Sequence, residues 1–121
     1  MAHRPLMHLA LAVRDEEASR RFYERYFGFA AVRRAEDGTL MMRNDDGFSL
    51  ALGPWDGEAR LPPFLHHGFR AESPEAVRAY ADGFRSEGLE LVEEWDEPGY
   101  VSVKVRDPSG YVVEVSWEPN G

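Results

Sequence analysis

The chain has 121 residues, enough for one hydrophobic core of ordinary size but too few for two independent domains. Its 22 acidic and 14 basic residues give a formal net charge of −8, which disfavours nucleic acid and anionic membranes as partners. The absence of cysteine excludes disulfides, thiolate metal ligands and cysteine nucleophiles from these residues.

The first apolar segment predicts a β-strand and not a targeting signal. Residues 7–13, MHLALAV, are interrupted by His8 and are followed at once by acidic residues. No run reaches the roughly 18 apolar residues of a membrane-spanning helix. We therefore expect a soluble, cytoplasmic protein.

A helix is predicted between Asp15 and Gly28. Asp15 suits the N-cap, acidic residues occupy the first turn, and Gly28 suits the stop. Ala18, Phe22 and Tyr26 recur every four residues, with Tyr23 and Phe27 widening the stripe, which predicts the buried face of this helix. Three short strands follow at about residues 29–34, 39–43 and 48–52, separated by turn sequences such as NDDG.

The same order returns about 58 residues later. A strand at 65–71 precedes a helix that runs from the N-cap Ser73 to Gly88, with an apolar stripe at Ala76, Tyr80 and Phe84. Strands are then predicted at about 89–95, 100–106 and 111–117.

The repeat predicts an α+β fold of two βαβββ modules within a single domain, 1–121. Module one covers about 5–53, a Gly- and Pro-containing linker about 53–63, and module two about 64–118. We expect two mixed sheets that carry helices on their outer faces and form a concave cup for a metal or ligand.

Alternation along each strand separates the apolar residues that face a helix from a second, smaller and more polar set. His67 shares a face with Leu65 and Phe69, so His66 belongs to the second set. That set comprises His8, Ala10, Ser49, Ala51, His66, Gly68, Arg70, Ser102, Lys104, Glu114 and Ser116.

Two histidines and one carboxylate on one face form a known ligand set for a divalent metal. The segments HLALAV, HHGF and DPSGYVVEV, together with RFYERYFGF, resemble those of the vicinal oxygen chelate superfamily, which contains glyoxalases, extradiol dioxygenases, fosfomycin resistance enzymes and bleomycin resistance proteins. This resemblance implies that His8, His66 and Glu114 bind a metal. Glyoxalase activity is disfavoured, because Ala51 stands where a fourth ligand would be needed.

The resemblance leaves the reaction open. Extradiol dioxygenases have a tyrosine where this chain has Lys104, and fosfomycin enzymes have a threonine where it has Ala10. We expect a divalent-metal-dependent enzyme that chelates a small substrate through adjacent oxygens, with dioxygenase-like chemistry and Fe(II), or Mn(II) for an addition or isomerisation. The alternative is a metal-free protein that sequesters a drug or metabolite, as bleomycin resistance proteins do.

Further candidates surround this ligand set. Lys104 is a candidate catalytic residue that binds an anionic oxygen, or transfers a proton if burial lowers its pKa; alternatively it protects a sheet edge. Ser49, Arg70, Ser102 and Trp55 are candidate substrate-binding residues. We expect a homodimer, with the metal ligands drawn from one chain or from two.

Overall fold

The structure is a computed structural model that describes residues 4–57 and 60–119, in two compact units that divide between residues 59 and 60. The first unit contains β1 His8–Val13, α1 Glu16–Phe27, β2 Ala30–Arg34, β3 Leu40–Arg43 and β4 Ser49–Pro54. The second contains β5 His66–Arg70, α2 Pro74–Ser86, β6 Leu91–Glu97, β7 Tyr100–Arg106 and β8 Val112–Trp117. The predicted α+β fold of two βαβββ modules is confirmed.

Each unit builds one mixed four-stranded sheet. The strand orders are β1-β4-β3-β2 and β5-β8-β7-β6. The first strand of each unit lies parallel to the last, and the remaining pairs are antiparallel. A parallel pair needs a long crossover, to which the single helix of each module belongs. This topology brings β5, which carries the histidine pair, directly beside β8.

The helix termini follow the predicted capping chemistry. The Asp15 side chain accepts a hydrogen bond from the Ala18 amide at 3.0 Å, and the Ser73 hydroxyl accepts one from the Ala76 amide at 3.1 Å. Gly28 ends α1 in the left-handed conformation, with φ of 69°. These local signals depend only on neighbouring residues, which is why the sequence located both helices.

The buried face of α2 is centred one residue further along than predicted, whereas α1 buries Phe22, Tyr23 and Phe27 of the predicted stripe and has Ser19 in place of Ala18. Helix α1 buries Ser19, Phe22, Tyr23 and Phe27, and α2 buries Val77, Ala81 and Phe84. Ala18 and Tyr26, two members of the predicted stripe, are only partly buried. Successive residues of a helix are rotated by about 100° around its axis. A helix with a broad apolar face can therefore bury that face around more than one central residue. The surface against which the helix packs selects one of them; for α2 it is chiefly β7 and β8.

Strand β6 begins two residues later than predicted because the end of α2 uses the intervening chain. Gly88 has a φ of 74°, and the Leu89 amide donates to the Phe84 carbonyl at 3.0 Å. This six-to-one hydrogen bond with a left-handed glycine is a Schellman motif. The strand can start only after this motif, at Leu91.

Alternation along β7 and β8 matches the predicted sorting. Val103, Val105 and Val113 are at most 1% exposed, whereas Lys104 and Glu114 point to the other face. Lys104 is the cross-strand partner of Glu114. The face of the second sheet that carries Glu114 therefore holds ionisable side chains, as expected from the sequence.

The β7–β8 turn is organised by a buried aspartate. Asp107 is 5% exposed, and its Oδ1 accepts hydrogen bonds from the backbone amides of Ser109 and Tyr111, each at 2.9 Å. Its own amide donates to the Tyr111 carbonyl at 2.8 Å. The side chain thus holds the turn that sets the register between Lys104 and Glu114.

We expect Asp107→Ala to lower the free energy of unfolding by roughly 2 to 4 kcal/mol, because two buried amides lose their side-chain acceptor. Asp107→Asn retains an oxygen acceptor and should lose less than half as much. Urea unfolding of the three proteins measures both effects. An Asp107→Ala midpoint equal to that of the unsubstituted protein would contradict this role.

Neither helix in the described part of the chain combines the length and apolar character that crossing a membrane requires.

Candidate metal centre

His66, in the first position of β5, has each ring nitrogen beside a different group. Nδ1 lies 2.9 Å from the carbonyl oxygen of Phe64, and Nε2 lies 3.4 Å from Oε1 of Glu114. A carbonyl can only accept, so Nδ1 carries the proton that bonds it, and Nε2 is the ring nitrogen that remains to serve as a metal donor. Metal-binding histidines are commonly oriented in this way by a backbone carbonyl.

Glu114 reaches His66 because β5 and β8 lie side by side. Gly68 is the cross-strand partner of Glu114 in the parallel pair. A Cβ at position 68 would lie only 3.2 Å from the Glu114 carbonyl oxygen and 3.4 Å from its Cβ. The missing side chain therefore leaves room beside Glu114, whose own side chain is 13% exposed.

The two oxygens of the Glu114 carboxylate have different surroundings. Oε2 accepts hydrogen bonds from the hydroxyls of Tyr100 and Ser102, the second at 2.5 Å. Oε1 is the atom nearest to Nε2 of His66. One oxygen is thus held by the protein, while the other is directed toward the imidazole.

These contacts set the ionisation state of the carboxylate. Burial raises the pKa of Glu114, but the hydrogen bonds from Ser102 and Tyr100, aided by the charge of Lys104, outweigh it and leave the pKa below its usual value. Burial, together with the hydrogen bond to Glu114, raises the pKa of Tyr100. Around neutral pH the glutamate is therefore an anion and the tyrosine a hydroxyl donor.

Lys104 extends the polar cluster away from Glu114. Its ammonium lies 2.8 Å from the Glu93 carboxylate, and this hydrogen bond raises the pKa of Lys104. The conditional prediction of a lowered pKa is wrong, because the charged partner outweighs partial burial. The edge-protection reading is also wrong, since β7 lies between β8 and β6. Lys104 is a fixed positive charge on the same face as Glu114.

His67 points away from this cluster. Its ring lies near those of Phe69 and Tyr111, with centroids 6.3 and 6.4 Å away. Burial, and to a lesser degree the nearby His66, lowers the pKa of His67 to about 4. It is therefore neutral at physiological pH, and its surroundings are aromatic.

In the first unit, His8 is exposed and opens β1. Its cross-strand partner on β4 is Ser49, and the next pair along the same strands is Leu9 with Leu50. Leu50 is buried and Ser49 is only partly exposed, as the alternation predicts. His8 and Ser49 thus share a face of the first sheet.

The remaining candidates occupy different settings. Arg70 is exposed at the end of β5, in register with Ser116. Ser102 is 2% exposed and is committed to Glu114, so it acts on the carboxylate. Trp55 follows β4, and the Arg14 guanidinium lies 4.4 Å from its ring centroid. Substrate contact by Arg70, Ser49 and Trp55 stays a prediction.

His66 and Glu114 fit two ligands of one divalent ion. Their 3.4 Å separation exceeds the usual hydrogen-bond range of about 2.7 to 3.2 Å. Two atoms that each bind an ion at about 2.1 Å lie roughly 3.0 to 3.5 Å apart. Within residues 4–57 and 60–119, no group of three or more His, Asp or Glu side chains is arranged to hold an ion.

Tyr100 is the site residue that the sequence analysis missed. It opens β7 and shares strand parity with Ser102 and Lys104, which were both predicted for this face. The parity rule extended by one step would have included it. Its reach across the strand to Glu114 could not be inferred from parity alone.

Comparison with known proteins gives consistent matches along most of the chain. Residues 6–115 match the family model described as Glyoxalase/Bleomycin resistance protein/Dioxygenase superfamily. A Bacillus subtilis protein named probable trivalent organoarsenical cleaving enzyme is 29% identical over 108 residues, covering 86% of this chain and 73% of that protein.

Two solved structures show the same fold. A possible glyoxalase from Bacillus cereus is 30% identical with a TM-score of 0.80, covering 93% of this chain and 98% of that one. A mutant of the fosfomycin resistance protein FosX from Listeria monocytogenes, in complex with Mn(II) and 1S,2S-dihydroxypropylphosphonic acid, is 17% identical with a TM-score of 0.75, covering 95% and 90%. At that identity, the FosX likeness concerns the fold alone.

Proposed function

The chain belongs to the Glyoxalase/Bleomycin resistance protein/Dioxygenase superfamily, and we propose that it is a divalent-metal-dependent enzyme that binds a small substrate through two adjacent oxygens. His66 and Glu114 are two of the proposed ligands, and His8 is the third by the sequence resemblance. A bound divalent ion would supply a Lewis acid that polarises the substrate oxygens and stabilises a developing negative charge.

The observation that carries this proposal is the short distance between two metal-donor atoms, Nε2 of His66 and Oε1 of Glu114. Nδ1 of His66 lies 2.9 Å from the Phe64 carbonyl oxygen, which leaves Nε2 as the nitrogen directed to Glu114, and Oε1 of Glu114 lies 3.4 Å from it. The carboxylate is ionised despite its burial. The same 3.4 Å separation also allows an ion pair when the imidazole is protonated, and metal titration distinguishes the two arrangements.

The surrounding residues favour a substrate with anionic character at the oxygens. Lys104 lies opposite Glu114 on the same face and is held in its charged form by Glu93. An ammonium on the face that carries Glu114 would attract an ionised hydroxyl or carboxylate of the substrate. We therefore propose catechol-like or hydroxy-acid substrates, with Fe(II) and dioxygenase-like chemistry as the first reaction to test.

Cleavage of trivalent organoarsenicals, named for the Bacillus subtilis relative, is not the activity that we propose. Trivalent arsenic prefers thiolate donors, and these 121 residues contain no cysteine. Imidazole and carboxylate instead suit harder divalent ions and oxygen-bearing substrates.

Metal analysis of protein purified without chelator tests the proposal. We expect close to one Fe(II) or Mn(II) per chain, and oxygen uptake when the Fe(II) form meets a catechol under air. Failure to bind either ion in anaerobic titrations would overturn the proposal. If that metal-free protein bound a cationic drug in calorimetry, the sequestration alternative would replace it.

A further inference from the structure

The hydroxyls of Tyr100 and Ser102 converge on a single atom. Both residues lie on β7, two positions apart, and both donate to Oε2 of Glu114 on the neighbouring β8. Ser102 is cross-strand partner of Ser116, so it reaches Glu114 along a diagonal. Tyr100, one further step along the same face, needs its long side chain to arrive at the same oxygen.

These two hydroxyls distinguish the oxygens of the carboxylate. Oε2 is held by Tyr100 and Ser102, whereas Oε1 is directed to Nε2 of His66. Ser102 is 2% exposed, so it cannot readily exchange this acceptor for water. Rotation of the carboxylate to present both oxygens to one ion would break two hydrogen bonds to a charged acceptor.

A carboxylate binds a metal through one oxygen or through two. Two-oxygen binding occupies an additional coordination position. A substrate that chelates through two adjacent oxygens needs neighbouring positions to be open, and a dioxygenase needs a place for oxygen as well. The number of Glu114 oxygens on the ion therefore affects which substrates the site accepts.

We propose that Tyr100 and Ser102 are positioning residues that restrict Glu114 to one-oxygen metal binding and thereby keep open the positions that a chelating substrate requires. This inference rests on the proposed function, since it assigns a role at the same metal site. The inference goes beyond the proposed function by explaining why two hydroxyls from one strand donate to a single carboxylate oxygen.

The test uses the double variant Tyr100→Phe/Ser102→Ala, which removes both hydroxyls and little else. Ser116→Ala is the matched control, because it removes a hydroxyl from the cross-strand partner of Ser102 on the same face. Circular dichroism establishes that each variant is folded. Each variant is then titrated with Mn(II), and electron paramagnetic resonance measures how much of the ion is bound. Water-proton relaxation counts the exchangeable waters on the bound ion.

In the double variant we expect Mn(II) to remain bound, with about one water fewer per ion because Glu114 contributes its second oxygen. Binding of 4-nitrocatechol to the Fe(II) form should weaken roughly 10- to 100-fold. The Ser116→Ala protein should match the unsubstituted one in both measurements. Simple loss of folding would lower Mn(II) occupancy in parallel with the circular dichroism signal, without changing the water count of the bound fraction.

A double variant with an unchanged water count and unchanged 4-nitrocatechol affinity would overturn this inference while leaving the proposed function in place. Absence of Mn(II) and Fe(II) binding by the unsubstituted protein would overturn both. The two failures are therefore distinguished by which protein shows them.

Discussion

We expect His66→Ala to lose its divalent metal, with affinity reduced at least about 100-fold. The substitution removes a ligand, and the loss of a residue that only orients a ligand already costs about 10- to 100-fold. Nε2 of His66 is the imidazole nitrogen that faces the Glu114 carboxylate. Metal content after purification and anaerobic Mn(II) titration both measure the loss.

The adjacent histidine supplies the control for this experiment. His67→Phe keeps a flat ring among Phe69 and Tyr111 and leaves His66 untouched. We expect it to bind metal within about threefold of the unsubstituted protein, since a strand turns consecutive side chains to opposite faces. Metal retained by His66→Ala would contradict the role of His66 as a ligand, and metal also lost in His67→Phe would show that the roles of the two histidines are reversed.

Acid should destabilise the metal-free protein through His67. The pKa of this side chain is lowered to about 4 in the folded state, against an ordinary value of 6.5. The unfolded chain therefore binds the proton more readily, and stability is full above pH 6.5 and falls as the pH drops toward 4. The loss amounts to about 2 to 3 kcal/mol over that interval, allowing for incomplete burial.

Urea unfolding at several pH values, with chelator present, measures this effect. His67→Phe cannot take up the proton, so its stability should change much less between pH 6.5 and 5. The carboxylates whose pKa is lowered, such as Glu114, lose their contribution at lower pH and act equally in both proteins. Parallel curves for the His67→Phe and unsubstituted proteins would contradict the assignment.

Much of the fold was predictable because its signals are local. The N-caps Asp15 and Ser73 and the strand β7 were located correctly. The face assignment of His66 and His67 followed from strand parity, which requires only the identity of alternate residues. The structure places His66 beside Glu114 and His67 beside aromatic rings, in agreement with that assignment.

Other features depended on contacts between distant residues. Helix α1 buries Ser19 but only partly buries Ala18 and Tyr26, because the surface beneath the helix selects which part of a broad apolar face is covered. The pKa of Lys104 is raised, against the conditional expectation, because β6 places Glu93 beside it. Neither the surface beneath α1 nor the position of Glu93 beside Lys104 could be inferred from the periodicity of a single helix or strand.

The sequence by itself determined the two βαβββ modules, the capped helices and the division of each strand into two faces, since these follow from spacing along the chain. Only the tertiary structure showed that Glu114 presents one oxygen to His66 and commits the other to Tyr100 and Ser102. That distinction arises from pairing between β5, β8 and β7, which is a non-local property. The orientation of a ligand is set by neighbours across the sheet, while its presence on the face is set by its own strand.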